Sequence, residues 1–294
     1  MKKLQMLALA GLLVCLVPTP GFAQVAVLTD PEYLAGAPTP ITAHETVWMQ
    51  EMTWPEIRDA IQLYGKTTAI VATGGVEQNG PFSVTGKHNF LVEKDAQAIA
   101  ERLGNALVAP VIPFSPEDYS VGRPGDHLLY PGTFHMPSEL FKAVLREYCI
   151  NLKRSGFTDI MIIAENLPSN ELQEEVAAAL NAEWAGEETR VYHLQEYYDQ
   201  HRVMDEDLRD RGIVQESQGI HDSFRVTATL MAVDPTLVRL QQRIAAGPHT
   251  TSINGISILP AITTIEHGRR MSEAKVVAAV EAIRRYVAEH RRGM

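Results

Sequence analysis

Thr68-Ala-Ile-Val-Ala-Thr-Gly-Gly-Val-Glu-Gln-Asn-Gly-Pro81, carried on by Thr85-Gly-Lys-His88, is the stretch on which the fold turns. Its first part, Thr68 to Ala72, is apolar without alternation, the pattern of a strand buried on both faces. The polar residues Glu77, Asn79, Lys87 and His88 then fall in a loop at the strand's carboxyl end. Open α/β sheets place their ligands there.

Working outward, the residues on either side alternate between helix and strand patterns. Thr53-Trp54-Pro55-Glu56 combines a capping residue, a first-turn proline and a capping-box acid, which predicts a helix ending near Gly65. Asn89 to Leu103 is amphipathic and is stopped by Gly104; Asn105 to Ile112 reads as the next strand. Ser138 to Ser155 is a helix closed by Gly156, Thr158 to Ala164 a buried strand, and a helix through Trp184 leads to a short strand at Arg190 to Leu194. This order predicts an α/β fold in three layers, α/β/α, around a central, mostly parallel sheet with right-handed crossovers. Between strand and helix, 113–136 is a loop rich in Pro and Gly, of a length that usually has a function. Residues 195–219 are charged and weakly periodic, 241–270 carries no readable pattern, and a last helix is expected from Ser272.

At the amino end, Lys2-Lys3, the apolar run Leu4 to Val17 and the small-x-small close Gly21-Phe22-Ala23 form a signal peptide with cleavage after Ala23. The apolar run is shorter than the ~20 residues of a membrane span. The domain reading is therefore signal peptide 1–23, arm 24–50 and one α/β domain 51–294, in a periplasmic or secreted protein. Loss of Lys2 and Lys3 takes the formal charge from −10 to −12. Such acidity argues against nucleic acid and against stable membrane association, leaving a small-molecule substrate as the expected partner. With Cys15 removed, Cys149 stands alone on an apolar helical pattern, which rules out an intrachain disulfide and points to a buried, inert thiol. The chain has no nucleophile elbow, so a serine or cysteine hydrolase is set aside.

Polar groups gather at the predicted strand ends: Glu77, Asn79 and His88, then Asp126 and His127, then Glu165 and Asn166, and later His221 with Asp222. Carboxylates and imidazoles from several parallel strands suit a divalent metal that activates water. Asp126 and His127 lie beside the Tyr130-Pro-Gly-Thr turn and read as a loop-fixing pair. His221 reads equally as a proton donor or as a helix-start residue bonded to backbone.

Five blocks in order resemble the creatininase (creatinine amidohydrolase) family: Gly74-Gly-Val-Glu-Gln-Asn-Gly-Pro, Thr85-Gly-Lys-His, Asp126-His-Leu-Leu-Tyr-Pro-Gly-Thr133, Gly156-Phe-Thr-Asp-Ile-Met-Ile-Ile163, and Gly219-Ile-His221 with Asp234-Pro235. The resemblance implies a three-layer fold, a homo-oligomer, often a hexamer, and a two-metal site of zinc or manganese that hydrolyses a cyclic amide or related C–N bond. It also implies which ligand positions have changed. Glu77 keeps the family's acid, but Asn79 stands at a His position, His88 at the bridging Asp, Asn166 at a second His, Pro168 at the next ligand and Val226 at an acid. Asn is a weak neutral donor and Pro offers none, so two metals are not expected. One ion held by Glu77, His88 and Glu165 is. In this reading Glu165 doubles as general base, His221 protonates the leaving nitrogen, and Asn79, Lys87 and Asn166 touch substrate. The expected function is an exported amidohydrolase with an altered, mononuclear site; the alternative is a silent relative that binds a small molecule or a partner in the periplasm.

Overall fold

A computed structural model describes residues 45–118, 121–122, 126–213, 222–253 and 255–293. Four strands form one parallel sheet: β1 (Thr68–Thr73), β2 (Ala106–Val108), β3 (Asp159–Ala164) and β4 (Arg190–His193), in the order β2-β1-β3-β4. Register runs from Thr68 opposite Asp159 to Thr73 opposite Ala164, so β1 and β3 end side by side. That juxtaposition brings the loops after them together.

All six residues of β1 and all six of β3 are buried, as a sheet covered on both faces requires. Alternation divides them between two cores. Ala69, Val71, Ile160 and Ile162 face helices α1 (Trp54–Gln62), α3 (Ser138–Ser155) and α4 (Ser169–Glu183) through Ala60, Phe141, Leu145 and Leu180. Ile70, Ala72, Met161 and Ile163 face α2 (Lys87–Leu103), α5 (Gln195–Asp210) and the long α8 (Ala261–Gly293) through Val92, Ile99, Tyr197 and Val280. These are the expected three layers. A third core lies around α6 (Phe224–Val233) and α7 (Leu240–Ala246), with Phe224, Leu230, Val238 and Met271 inside. Beside it, β5 (Ser252–Ile253) and β6 (Ile256–Ser257) make a small antiparallel pair.

Local signals in the sequence have visible counterparts. Glu56 Oε2 accepts from the Thr53 backbone at 2.7 Å and from its hydroxyl at 2.8 Å, completing the capping box of α1. Gly156 ends α3 at φ 104, in the left-handed region where a side chain would be strained. Cys149 is a buried free thiol, pushed up to about 12 by burial. The arm is tied down at its end, since Val108 donates to Val47 O at 2.7 Å along the edge of β2.

Two expectations need correction. Residues 195–210 form α5, whose exposed face is so charged that only Tyr197, Met204 and Leu208 mark the buried one. The last helix begins at Ala261 rather than Ser272 and takes in Gly268. A Cβ at Gly268 would meet Ala228 O at 1.9 Å, so the glycine permits close crossing of α8 over α6.

Candidate active site

Glu77 lies in the loop after β1, fully buried at 0% exposure. An isolated carboxylate there would be costly, and three side chains offset it. Lys87 Nζ donates to Glu77 Oε1 at 2.9 Å and His88 Nε2 stands 2.7 Å from the same oxygen, both from the first turn of α2. His127 Nδ1 lies 2.9 Å from Glu77 Oε2.

Because a carboxylate only accepts, His88 presents Nε2–H to Glu77 and keeps its lone pair on Nδ1. Nδ1 is buried and has no hydrogen-bond partner among the described residues. Burial first, and then the Lys87 charge, lower the imidazole below its ordinary value, so the ring is neutral at neutral pH.

Glu117 is also fully buried, and its Oε1 accepts from Ser115 Oγ at 2.8 Å and Asn166 Nδ2 at 3.0 Å. Burial and the facing Glu77 carboxylate push it up to about 9. At neutral pH Glu117 is therefore a protonated carboxyl beside Glu77. Asn79 Nδ2 donates to the carbonyls of Glu77 at 2.9 Å and Val84 at 3.0 Å, fixing the turn that carries Glu77.

Glu165, at the end of β3, belongs to a second buried group. Its Oε2 receives Lys275 of α8 and lies 2.9 Å from the Tyr197 hydroxyl, while Oε1 lies 3.2 Å from His201 Nε2. Asp95 of α2 joins through Tyr197 at 2.9 Å and Lys275 at 3.4 Å. Burial opposes the Glu165 charge, but Lys275 and His201 outweigh it and hold the carboxyl well below its usual range. Burial pushes His201 down to about 3. The two groups are neighbours in space: the Glu165 charge acts on His88, and the Tyr198 hydroxyl is raised first by burial and then by both Glu165 and Glu77.

The structure thus unites Glu77, Lys87 and His88, with Asn79 and Asn166 at their border, and holds Glu165 apart with α5 and α8. His221 lies outside the described residues. Asp126 fixes its loop as expected, accepting from Leu128 at 3.0 Å and Gly122 at 2.9 Å. His127 does more than its loop reading allowed, since it reaches Glu77. Glu117 was missed altogether, and its only signal was the length of the Pro- and Gly-rich loop that carries it.

The family model described as Creatininase: Creatinine amidohydrolase matches residues 50–283. The chain belongs to the creatininase family. Solved structures agree on the fold. A mutant creatininase of Zn-Zn type is 22% identical with a TM-score of 0.63, over 83% of this chain and 99% of that one. A creatininase described as the Mn form is 20% identical with a TM-score of 0.63, over 82% of this chain and 99% of that one. A creatinine amidohydrolase crystal structure is 22% identical with a TM-score of 0.62, over 82% and 97%. No curated protein matches the chain.

Divalent metal, zinc or manganese, is thereby named for solved creatininases. The residues of this family member do not fit a pair of such ions. Asn79 turns its amide NH2 into backbone carbonyls, and Pro168 serves as the N-cap of α4. The expected single-ion set of Glu77, His88 and Glu165 is not assembled either. Among the described residues, no three His, Cys, Asp or Glu side chains form a group that would hold an ion. The physical reason is charge: Lys87 occupies Glu77 and Lys275 occupies Glu165, and an added divalent ion would meet an ammonium at each.

Proposed function

We propose that this chain is an exported, periplasmic or secreted hydrolase of the creatininase type that splits an amide or cyclic amide C–N bond of a small molecule. In this reading the Glu77–His88 pair is its base and the Lys87 ammonium supplies the fixed positive charge that metals provide elsewhere in the family. The observation that carries it is His88: Nε2 is held at 2.7 Å by the buried Glu77, and Nδ1 is buried with a free lone pair among the described residues.

A carboxylate that fixes one imidazole nitrogen leaves the other as a proton acceptor and stabilises the imidazolium that forms. His88 Nδ1 takes a proton from water as the oxygen attacks the carbonyl carbon. Negative charge then develops on the carbonyl oxygen, and Lys87 is the nearby cation that opposes it. The proton passes from His88 to the leaving nitrogen, the C–N bond breaks, and a carboxylate and an amine result. Glu117, kept protonated, holds Asn166 and adds no second negative charge.

The test is turnover of small cyclic amides, creatinine among them, by the purified mature chain and by His88→Gln. The reading expects a loss of about 10²- to 10⁴-fold in kcat, the usual worth of a general base. Equal rates in the two proteins contradict it. A second reading, a silent binding protein, draws support from the full engagement of Glu77 by Lys87, His88 and His127. It expects no turnover in wild type or Glu77→Gln, with small-molecule binding retained in both.

A further inference from the structure

Arg243 of α7 is 1% exposed, an arginine almost wholly removed from water. Its Nη2 donates to both oxygens of Asp222, at 2.9 and 3.2 Å, its Nε to Val238 O at 3.0 Å and its Nη1 to Thr250 O at 3.4 Å. The centre of the guanidinium lies 4.7 Å from the centroid of the Phe82 ring. Asp222 in turn accepts from Thr227 Oγ1 at 3.2 Å and stands against Gly80, where a Cβ would come within 3.1 Å of Asp222 Cβ. Gly80 has φ 71, so a side chain there would be strained as well as crowded. Val84 N completes the contact by donating to Leu237 O at 3.0 Å. Gly80, Phe82 and Val84, three points on the loop after β1, thus rest on the α6–α7 side of the molecule. That loop is closed on itself, since Glu77 N donates to Thr85 O at 3.0 Å and Asn79 donates to the Glu77 and Val84 carbonyls inside it. Glu77 stands at its start, and Lys87 and His88 follow directly after its end.

We propose that Arg243 is a positioning residue: through Asp222 and Phe82 it fixes the 77–85 loop against α6 and α7, and so holds Glu77 in line with His88. As a stabiliser a buried ion pair is weak, because apolar residues of similar volume often serve as well. What the guanidinium supplies is direction, a planar fork that meets both oxygens of one carboxylate while its face lies on an aromatic ring. Glu77 Oε1 lies 2.7 Å from His88 Nε2, and that contact decides which imidazole nitrogen carries the proton. A loop displaced by a fraction of that distance would release the choice. The effect on turnover rests on the hydrolase reading; the effect on the His88 tautomer does not.

The experiment replaces the pair by apolar residues, Arg243→Met with Asp222→Leu, in the full mature chain. Circular dichroism and the thermal midpoint report folding, nitrogen-15 NMR of labelled histidine reports the tautomer, and steady-state kinetics on small cyclic amides report turnover. His88→Gln assigns the His88 signals by their loss. Wild type should show His88 with its proton on Nε2 and a bare Nδ1, and the folded double variant a mixture of the two tautomers. Its kcat should fall about 10- to 100-fold with KM little changed, as a misplaced catalytic group gives. Phe82→Leu removes only the ring beneath the guanidinium and carries the same test if the double variant does not fold. There the same tautomer mixing should appear, with kcat lower by about 2- to 5-fold, the worth of one cation–π contact. Wild-type His88 signals in a folded variant overturn the inference, as does turnover that falls only in step with the folded fraction, the mark of a merely structural role. Wild type without turnover removes the hydrolase reading instead, and the His88 tautomer then decides this inference alone.

Discussion

Glu117 and His201 make opposite demands on the proton, and their signs set a pH dependence of stability. Glu117 is pushed up to about 9, against 4.5 for an ordinary glutamate. Between those values the folded chain keeps a proton that the unfolded chain releases, so this stability is present at low pH and is lost as pH rises towards 9. His201 is pushed down to about 3, against 6.5. There the unfolded chain binds the proton, so stability is present above 6.5 and is lost as pH falls towards 3. The two slopes oppose one another between 4.5 and 6.5, and each acts alone outside that window. The unfolding free energy from urea titration should therefore fall from pH 6.5 to 9, by at most about 1.4 kcal/mol per pH unit for the one proton. Glu117→Gln should flatten that alkaline limb; an unchanged slope would locate the proton elsewhere. At this scale the sequence was only partly legible. Glu77, Lys87 and His88 follow a strand that could be read, whereas Glu117 and His127 sit in a loop without period. Their approach to Glu77 depends on pairing at Val76 with Phe134 and Ser115 with His135, contacts no local pattern announces.

Elements were legible where burial is uniform and obscure where packing overrides propensity. β1 and β3 read directly because both their faces are covered. The start of α8 did not, because Thr263, Thr264 and Gly268 are poor helix formers whose helical state is imposed by packing on α6. Gly268 tests that explanation. Alanine is the better helix former by about 1 kcal/mol, yet its Cβ would run into the Ala228 carbonyl at 1.9 Å. Gly268→Ala should thus destabilise the chain by about 1–3 kcal/mol in urea unfolding, as overpacking does. A stabilised variant would show that the two helices have room to part.

For the whole molecule, the sheet presents two neighbouring strand ends on which two buried carboxylates, Glu77 and Glu165, are each met by a lysine. The family resemblance was read from five separated blocks, and the match over 50–283 bears it out. Export is a proposal at this scale, resting on the leader pattern of residues 1–23. Intact mass of protein recovered after secretion should place the mature amino terminus at Gln24; a chain that retains Met1 would contradict it.

The claim that joins these scales is that a creatininase fold here works from a protein cation and a carboxylate–imidazole pair in place of bound metal. It is tested most directly by the rate of small cyclic amide hydrolysis after exhaustive chelation, with metal content measured on the same sample. Turnover should persist in metal-free wild type. Turnover that vanishes with the metal and returns on adding zinc or manganese would contradict it.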